Sequence, residues 1–271
     1  MRKFLKLPYL FAGTGAILIF VISTACMIYS GVLIPNKWFI GKNDIIGCDV
    51  SRYQGDIDWD ILSGQGISFA YIKATEGSSY IDPEFEENWS QASETDLAIG
   101  AYHFFSFESP GKSQAEHFLE VTDTEQSALI PAVDVEFYGS FHEANTDAAK
   151  IRKELDSFIQ VMEEQYGLKP VIYTTKAAYH HLIKGRYEDC PLWIRSVLTR
   201  PGLDREWTLW QYTSRETLPG YKGPERYIDM NVFHGTISDF TDLQIHNKQD
   251  SPHEKIQDHP GIQHYRQKPS A

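Results

Sequence analysis

From residue 43 onward, short runs of β-branched and aromatic residues alternate with segments of helical periodicity, and this alternation restricts the chain more than any other feature. A strand followed by a helix packed on its face is extended most simply by a parallel neighbour, so the pattern predicts an α/β architecture. Strands are predicted near 45–50, 68–73, 98–105, 129–136 and 170–174, with helices near 56–63, 84–93, 112–121, 146–166 and 176–183. The fourth helix is the best defined. Ile151, Leu155, Phe158, Ile159, Met162 and Tyr166 fall on one stripe, and Gly167 stands where a helix stops. Three further strands, near 192–196, 208–212 and 227–232, are separated by Pro- and Gly-rich intervals too short for a packed helix. The whole predicts a TIM-like β/α barrel with eight strands and about five helices, its active site at the C-terminal ends of the strands.

The first forty residues differ in kind. Arg2, Lys3 and Lys6 form a basic stub, and no charge follows from Leu7 to Asn36. About 20 apolar residues suffice to cross a bilayer, and the basic flank is expected to stay in the cytoplasm. An N-terminal transmembrane helix is therefore predicted, with the barrel outside the cytoplasm. The competing reading is a cleaved signal segment, with Ser23, Thr24 and Ala25 small enough for cleavage, or a lipoprotein modified at Cys26. The chain divides into residues 1–42 (stub, anchor and linker), 43–240 (barrel) and 241–271 (a polar tail expected to be flexible).

A formal net charge of −12, with no long basic run, argues against nucleic acid as a partner. It also means that an anionic glycan would have to be held by local contacts, since the summed field repels it. Only Cys48 and Cys190 lie in the folded part, too few for a disulfide framework, and both read as small buried residues. No Cys or His spacing suggests a metal site, and nothing demands a metal or organic cofactor.

Chemistry is concentrated where residues 130–133 end in Asp134, Val135 and Glu136. Residues two apart on a strand share a face, so Asp134 and Glu136 point together into the barrel. Acids crowded in a partly dry cavity have their proton affinities raised and separated, which supplies a proton donor beside an ionised partner. That is the pairing that glycosidic cleavage requires. Asp49 ends the first strand and Asp229 lies in the eighth, and in a closed barrel those strands are neighbours. Tyr53, Tyr102, Tyr173, Trp193, Trp210 and Tyr212 near strand ends are candidate sugar-stacking surfaces, though strand aromatics also serve as core.

Taken in order, 47–55 (Gly-Cys-Asp-Val-Ser-Arg-Tyr-Gln-Gly), Asp58-Trp59, 71–77 (Tyr-Ile-Lys-Ala-Thr-Glu-Gly), 100–104 (Gly-Ala-Tyr-His-Phe), 114–118 (Gln-Ala-Glu-His-Phe), 131–136 (Pro-Ala-Val-Asp-Val-Glu), 210–212 (Trp-Gln-Tyr) and 229–233 (Asp-Met-Asn-Val-Phe) resemble glycoside hydrolase family 25, the muramidase-type lysozymes. The resemblance runs from about Ile46 to Phe240. It implies a barrel of eight strands and five helices that cleaves the β-1,4 bond between N-acetylmuramic acid and N-acetylglucosamine in peptidoglycan. It also implies Glu136 as general acid, Asp134 as the second carboxylate of the Asp-x-Glu motif, and Asp49 and Asp229 as the other acids of the site. The sequence departs from the common pattern at Arg195, where relatives often carry Ala, and at Ser106, where a basic residue often follows the His-Phe pair; both bear on subsite preference. Two other readings stay open. A chitinase-like barrel would carry a further acid two residues upstream of Asp134, where this chain has Ala132, and a non-catalytic peptidoglycan-binding barrel would need its loss of activity to come from loops.

Overall fold

The computed structural model describes residues 6–122 and 127–245, with side chains from Gly13. Helix α1 (Lys6–Tyr29) precedes a 3-10 turn (Pro35–Phe39) that leads into the barrel. The strands are β1 (Ile46–Val50), β2 (Phe69–Glu76), β3 (Tyr80–Ile81), β4 (Ala98–Phe104), β5 (Ala132–Val135), β6 (Val171–Thr175), β7 (Leu192–Arg195), β8 (Leu209–Glu216) and β9 (Ile228–Phe233). The helices are α2 (Trp59–Ser63), α3 (Phe85–Ser93), α4 (Gly111–Val121), α5 (Ala148–Tyr166), α6 (Lys176–Ala178, continued by a π-helical turn, Tyr179–Ile183) and α7 (Ile237–Asp242).

Eight strands close the barrel in the order β1-β9-β8-β7-β6-β5-β4-β2, and β2 pairs again with β1. The ninth, β3, is a hairpin return on β2. Neighbours from β1 through β2 and β4 to β8 run parallel, but β9 is antiparallel to both β8 and β1. The parallel sheet expected from sequence is thus a mixed one. The connection from β8 to β9 carries no helix, and an antiparallel neighbour is the one that such a short connection joins most simply.

Strand alternation divides the core. One set, including Val133, Val135, Ile172, Ile194 and Trp210, faces the helices, where α5 contributes Ile151, Leu155, Phe158, Ile159 and Met162. Asp147 caps α5 by accepting from the amides of Ala149 and Lys150, and Gly167 ends it at φ 70°, a conformation open to Gly at little cost. The other set fills the barrel itself: Phe69, Tyr71, Ala132, Val171, Tyr173, Trp193, Leu209 and Phe233, closed below by Phe240 and Leu243. That floor comes from α7, a helix absent from the sequence expectation. The chain also remains in the fold to Ile245, whose amide donates to the Ala128 carbonyl, so the boundary expected at 240 falls too early. The rest of the expected tail lies outside the described residues.

The membrane span expected at the N-terminus is not carried by the structure: among the described residues, no helix is long and apolar enough to cross a membrane. Cys48 and Cys190 are buried free thiols, as expected from sequence, and Cys26 is exposed.

Candidate active site

The inner faces of the strands deliver four carboxylates to one end of the barrel. Asp49 on β1 stands opposite Asp229 on β9 in the antiparallel register. Asp134 is on β5, and Glu136 follows just past its end. A cavity of about 320 Å³ gathers all four with Ser51, Tyr53, Lys73, Glu76, Tyr102, Phe104, Tyr173 and Trp193. It continues into a second stretch of about 330 Å³ that shares Asp49, Tyr53, Tyr102 and Asp229 and adds Ser214, Arg215, Glu225 and Tyr227. Together they form one cleft, walled by aromatic rings and floored by acids. A larger recess of about 520 Å³ lies between α2 and the 220–222 loop, away from these strand ends. Its Asp58 already serves as the N-cap of α2.

Beneath the acids runs a buried polar network. The Trp193 indole N–H donates to Asn231 Oδ1 (2.8 Å), and Asn231 Nδ2 donates to Asp49 Oδ1 (2.7 Å). From the other side, the Tyr173 hydroxyl donates to Gln211 Oε1 (3.0 Å), and Gln211 Nε2 donates to both oxygens of Asp49 (3.0 and 3.2 Å). Asp49 is therefore oriented by two amides, each fixed in turn by an aromatic donor. Asp134 has the opposite surroundings: it is 8% exposed and its Oδ1 has no hydrogen-bond partner among the described residues.

The electrostatics follow from this difference. Burial, and then the neighbouring Glu136 charge, push the Asp134 carboxyl well above the usual carboxylate range, with Lys73 partly offsetting them. Burial also lifts Glu136; Arg195 and Lys73 pull it down, and Asp49 pushes it up. Asp229 is raised well above its ordinary value by burial and by Asp49, and relieved by Arg195. Burial raises Asp49 too, while Asn231, Gln211 and Arg195 favour its ionised form. With amide donors on both sides, Asp49 is the acid of the four best supported as an anion. A cleft that holds protonated and ionised carboxyls together can donate a proton and stabilise a developing cation in one step.

Several motif residues prove to be scaffolding. Ser51 and Gln54 form a reciprocal capping box, and Gln54 Nε2 donates to the Tyr227 carbonyl; the turn between them presents Tyr53, 52% exposed, at the lip of the cleft. His103 is buried between Thr75 (2.7 Å) and Gln114 (3.0 Å), and Gln114 in turn takes the Ser106 amide and donates to the Ser106 and Ser109 carbonyls. The pair ties the end of β4 to α4, which accounts for two of the recurring motifs without chemistry. Desolvation holds His103 neutral, its proton affinity lowered to about 3.

Of the site residues expected from sequence, Asp49, Asp134, Glu136, Asp229, Tyr53, Tyr102, Tyr173 and Trp193 all line the cavity. Trp210 and Tyr212 do not. They occupy the outward face of β8, packed in the helix-side core, because they alternate with inward Gln211. Sequence reasoning passed over Lys73, Glu76, Gln211 and Asn231, and noted Arg195 only as a departure. Lys73 pairs with Glu76 at 2.7 Å over the Phe104 ring. The signal that could have found them is the same period of two: Lys73 follows Tyr71, Arg195 follows Trp193, and Asn231 follows Asp229.

Comparison with known proteins agrees with this geometry. The model of the glycosyl hydrolases family 25 matches residues 48–221. The protein YegX of Escherichia coli is 36% identical, over 72% of this chain and 71% of its own. Lysozyme M1 of Streptomyces globisporus is 31% identical, over 75% and 74%. Among solved structures, a family 25 glycosyl hydrolase from Bacillus anthracis superposes with a TM-score of 0.70 at 47% identity, covering 75% of this chain and 95% of that one. The chain belongs to glycosyl hydrolase family 25 and is a glycoside hydrolase of the muramidase type.

Proposed function

We propose that the protein hydrolyses the β-1,4 bond between N-acetylmuramic acid and N-acetylglucosamine in peptidoglycan, with Glu136 as the general acid. The observation that carries the reading is the Asp134–Glu136 pair, both raised in proton affinity, in an aromatic-walled cleft at the strand ends. Glu136 is half-buried and reaches the open part of the cleft, so it is placed to protonate a glycosidic oxygen. Asp134 lies deeper; in its protonated state it can donate to the substrate's N-acetyl carbonyl, and ionised it steadies positive charge at the anomeric carbon. Asp49 and Asp229 hold sugar hydroxyls, and Asp49, the acid best supported as an anion, keeps the local field negative. Tyr53, Tyr102, Tyr173 and Trp193 form the walls against which sugar rings pack.

The same reading places the barrel outside the cytoplasm, tethered through α1. Ile17, Leu18, Ile19, Phe20, Val21, Ile22 and Met27 are all exposed on that helix, more apolar surface than an isolated helix tolerates in water. Exposed Tyr29, Trp38 and Phe39 sit at its barrel end, where amphipathic rings favour a membrane–water boundary.

The test is incubation of the full chain, in detergent, with purified peptidoglycan, followed by mass spectrometry of the new reducing ends. Reducing-end muramic acid supports the assignment. Reducing-end glucosamine would overturn the bond, and intact glycan with the protein still bound would overturn the hydrolase.

A further inference from the structure

The cavity at the strand ends is lined by the carboxylates of Asp49, Glu76, Asp134, Glu136 and Asp229 and by one cation, Lys73. Lys73 is taken up by Glu76 at 2.7 Å, so the four acids of the cleft have no cation within ion-pairing distance among the described residues. A second positive charge reaches them from β7.

Arg195 ends β7 two residues after Trp193, and strand alternation puts both on the inner face. Its register partner on β8 is Gln211, whose amide donates to both oxygens of Asp49. Its partner on β6 is Thr175, which is uncharged. The guanidinium is steadied by the Ser214 hydroxyl, which accepts from Nη2 at 3.5 Å, and Ser214 lines the same stretch of cleft as Asp49 and Asp229. In the barrel order, β7 lies two strands from β5, which leads to Glu136, and two strands from β9, which carries Asp229. A long side chain on that strand is therefore placed between the two ends of the acid cluster.

A guanidinium keeps its proton throughout the range in which carboxyls titrate, so its charge is fixed. It favours the ionised forms of Glu136, Asp49 and Asp229, in each case against burial. Lys73, on β2, does the same for Asp134 and Glu136. Around Glu136 stand also Asp49 and Asp134, Glu76 beside Lys73, and the Tyr102 and Tyr173 hydroxyls, both kept neutral by burial. Around Asp229 stand Asp49, Tyr53, Glu225, Tyr227 and Arg215, the last held between the Tyr29 and Tyr227 rings.

We propose that Arg195 is a positioning residue of the hydrolytic site, a fixed charge midway between Glu136 and the Asp49–Asp229 pair that keeps an ionised carboxylate beside the protonated acid and so sets the pH range in which the cleft works. The inference rests on the hydrolase reading above and supplies its pH control. Without that charge, acids that share one cavity hold their protons to higher pH, and the anion that the reaction needs becomes scarce at neutrality.

The test compares the full chain in detergent with its Arg195→Met, Arg195→Gln and Arg195→Lys variants, measuring kcat/KM on solubilised peptidoglycan strands across the acid and neutral range. The rising limb of the profile marks formation of the anion, and the falling limb marks loss of the general acid's proton. Both limbs should move to higher pH by about one unit in the Met and Gln variants, and Lys should return them close to wild type. Met keeps the apolar stem and Gln keeps a donor for Ser214, so the two neutral variants separate charge from packing and from the bond. A profile that falls in height without moving would overturn the proposal, as would a shift seen with only one neutral variant or a Lys variant that behaves like Met. The Glu136 carboxyl is followed independently by NMR of glutamate-labelled full chain, its resonance identified as the one missing from Glu136→Gln. Its titration should rise in both neutral variants whether or not the protein turns over, and an unmoved titration would also overturn the proposal. Wild-type protein that releases no reducing ends at any pH, with that titration still moving, would sink the hydrolase reading and leave the role of Arg195 standing.

Discussion

Replacing Asn231 by Leu keeps the number and branching of the side-chain heavy atoms and removes two hydrogen bonds from the floor of the site. Asn231 is fully buried, accepts the Trp193 indole N–H at 2.8 Å and donates to Asp49 at 2.7 Å. The orphaned indole N–H costs about 1–3 kcal/mol, and loss of a bond to a charged group about 1.5–3 kcal/mol. Gln211 still donates twice to Asp49, so the second loss falls at the low end. The expected destabilisation at neutral pH is about 2.5–4.5 kcal/mol, read by urea unfolding of the full chain in detergent through Trp fluorescence.

The pH dependence separates the two contributions. Asp49 has its proton affinity raised in the fold because burial outweighs its amide donors. A raised carboxyl contributes stability at pH below its unfolded value, and that contribution is lost as pH rises through the folded value. Asn231 moderates this loss by favouring the ionised form, and without it the folded value climbs further. The variant should therefore lose stability more steeply than wild type as pH rises, and the gap between them should narrow on acidification to the Trp193 part alone. A gap of equal size at acid and neutral pH, or one that widens toward acid, would refute the role assigned to the Asn231–Asp49 bond.

Glu136→Gln should lower kcat on peptidoglycan by about 10²–10⁴-fold while the unfolding midpoint is unchanged or higher, as measured by reducing-end release and thermal melts. Asp134→Asn should also lose activity, yet melt at higher temperature than wild type at neutral pH. Burial and Glu136 raise the Asp134 carboxyl well above its ordinary value, so ionising it in the fold is costly and an amide removes that cost; the gain should vanish at acid pH, and a lower melting point at neutral pH would contradict it. Asn36→Ala should cost about 1–3 kcal/mol in the same unfolding assay, because the buried Asn36 amide donates to the Ser196 and Tyr212 carbonyls (2.8 and 2.9 Å), and its loss leaves Ser196 with the Trp210 indole N–H alone and takes this donor from Tyr212.

The barrel was legible in the sequence because its strands and helices have different periods, and α5 above all carries its cap, stripe and stop in plain view. Four acids were legible for a related reason: an acid that interrupts an apolar strand just before its end is out of place unless it faces a cavity. What escaped was whatever depends on the partner across the barrel. Gln211 and Asn231 look like ordinary polar residues until the register sets both against Asp49. Lys73 reads as a surface cation until strand alternation turns it inward beneath Phe104. The antiparallel return of β9 and the floor supplied by Phe240 escaped because short turns and a six-residue helix leave little periodic signal. Trp210 and Tyr212 went wrong for the opposite reason. They stand at the end of the strand expected over 208–212, whereas β8 runs on to Glu216, and Gln211 between them is the residue that faces in.

Those two rings explain how the N-terminal segment is joined to the barrel. No long outer helix follows β7 or β8, so the outward face of β8 would be bare if small residues stood there. Trp210 and Tyr212 fill that space instead, with Trp207 against Trp210 at 5.7 Å, and the Pro35–Phe39 turn lies over the strand. Asn36 fastens the turn to the carbonyls of Ser196 and Tyr212, and Lys37 pairs with Glu216. Gly31, at φ 72°, lets the chain pass so close to the Arg215 carbonyl that a Cβ there would stand 2.3 Å from its oxygen. The linker thus takes the place of a missing outer helix. Ile34 and Asn36 are buried in this contact, so the segment is anchored rather than a loose leash, and it fixes the end of α1 beside the rim formed by Ser214 and Arg215. The orientation of the cleft relative to α1 is consequently set by the fold.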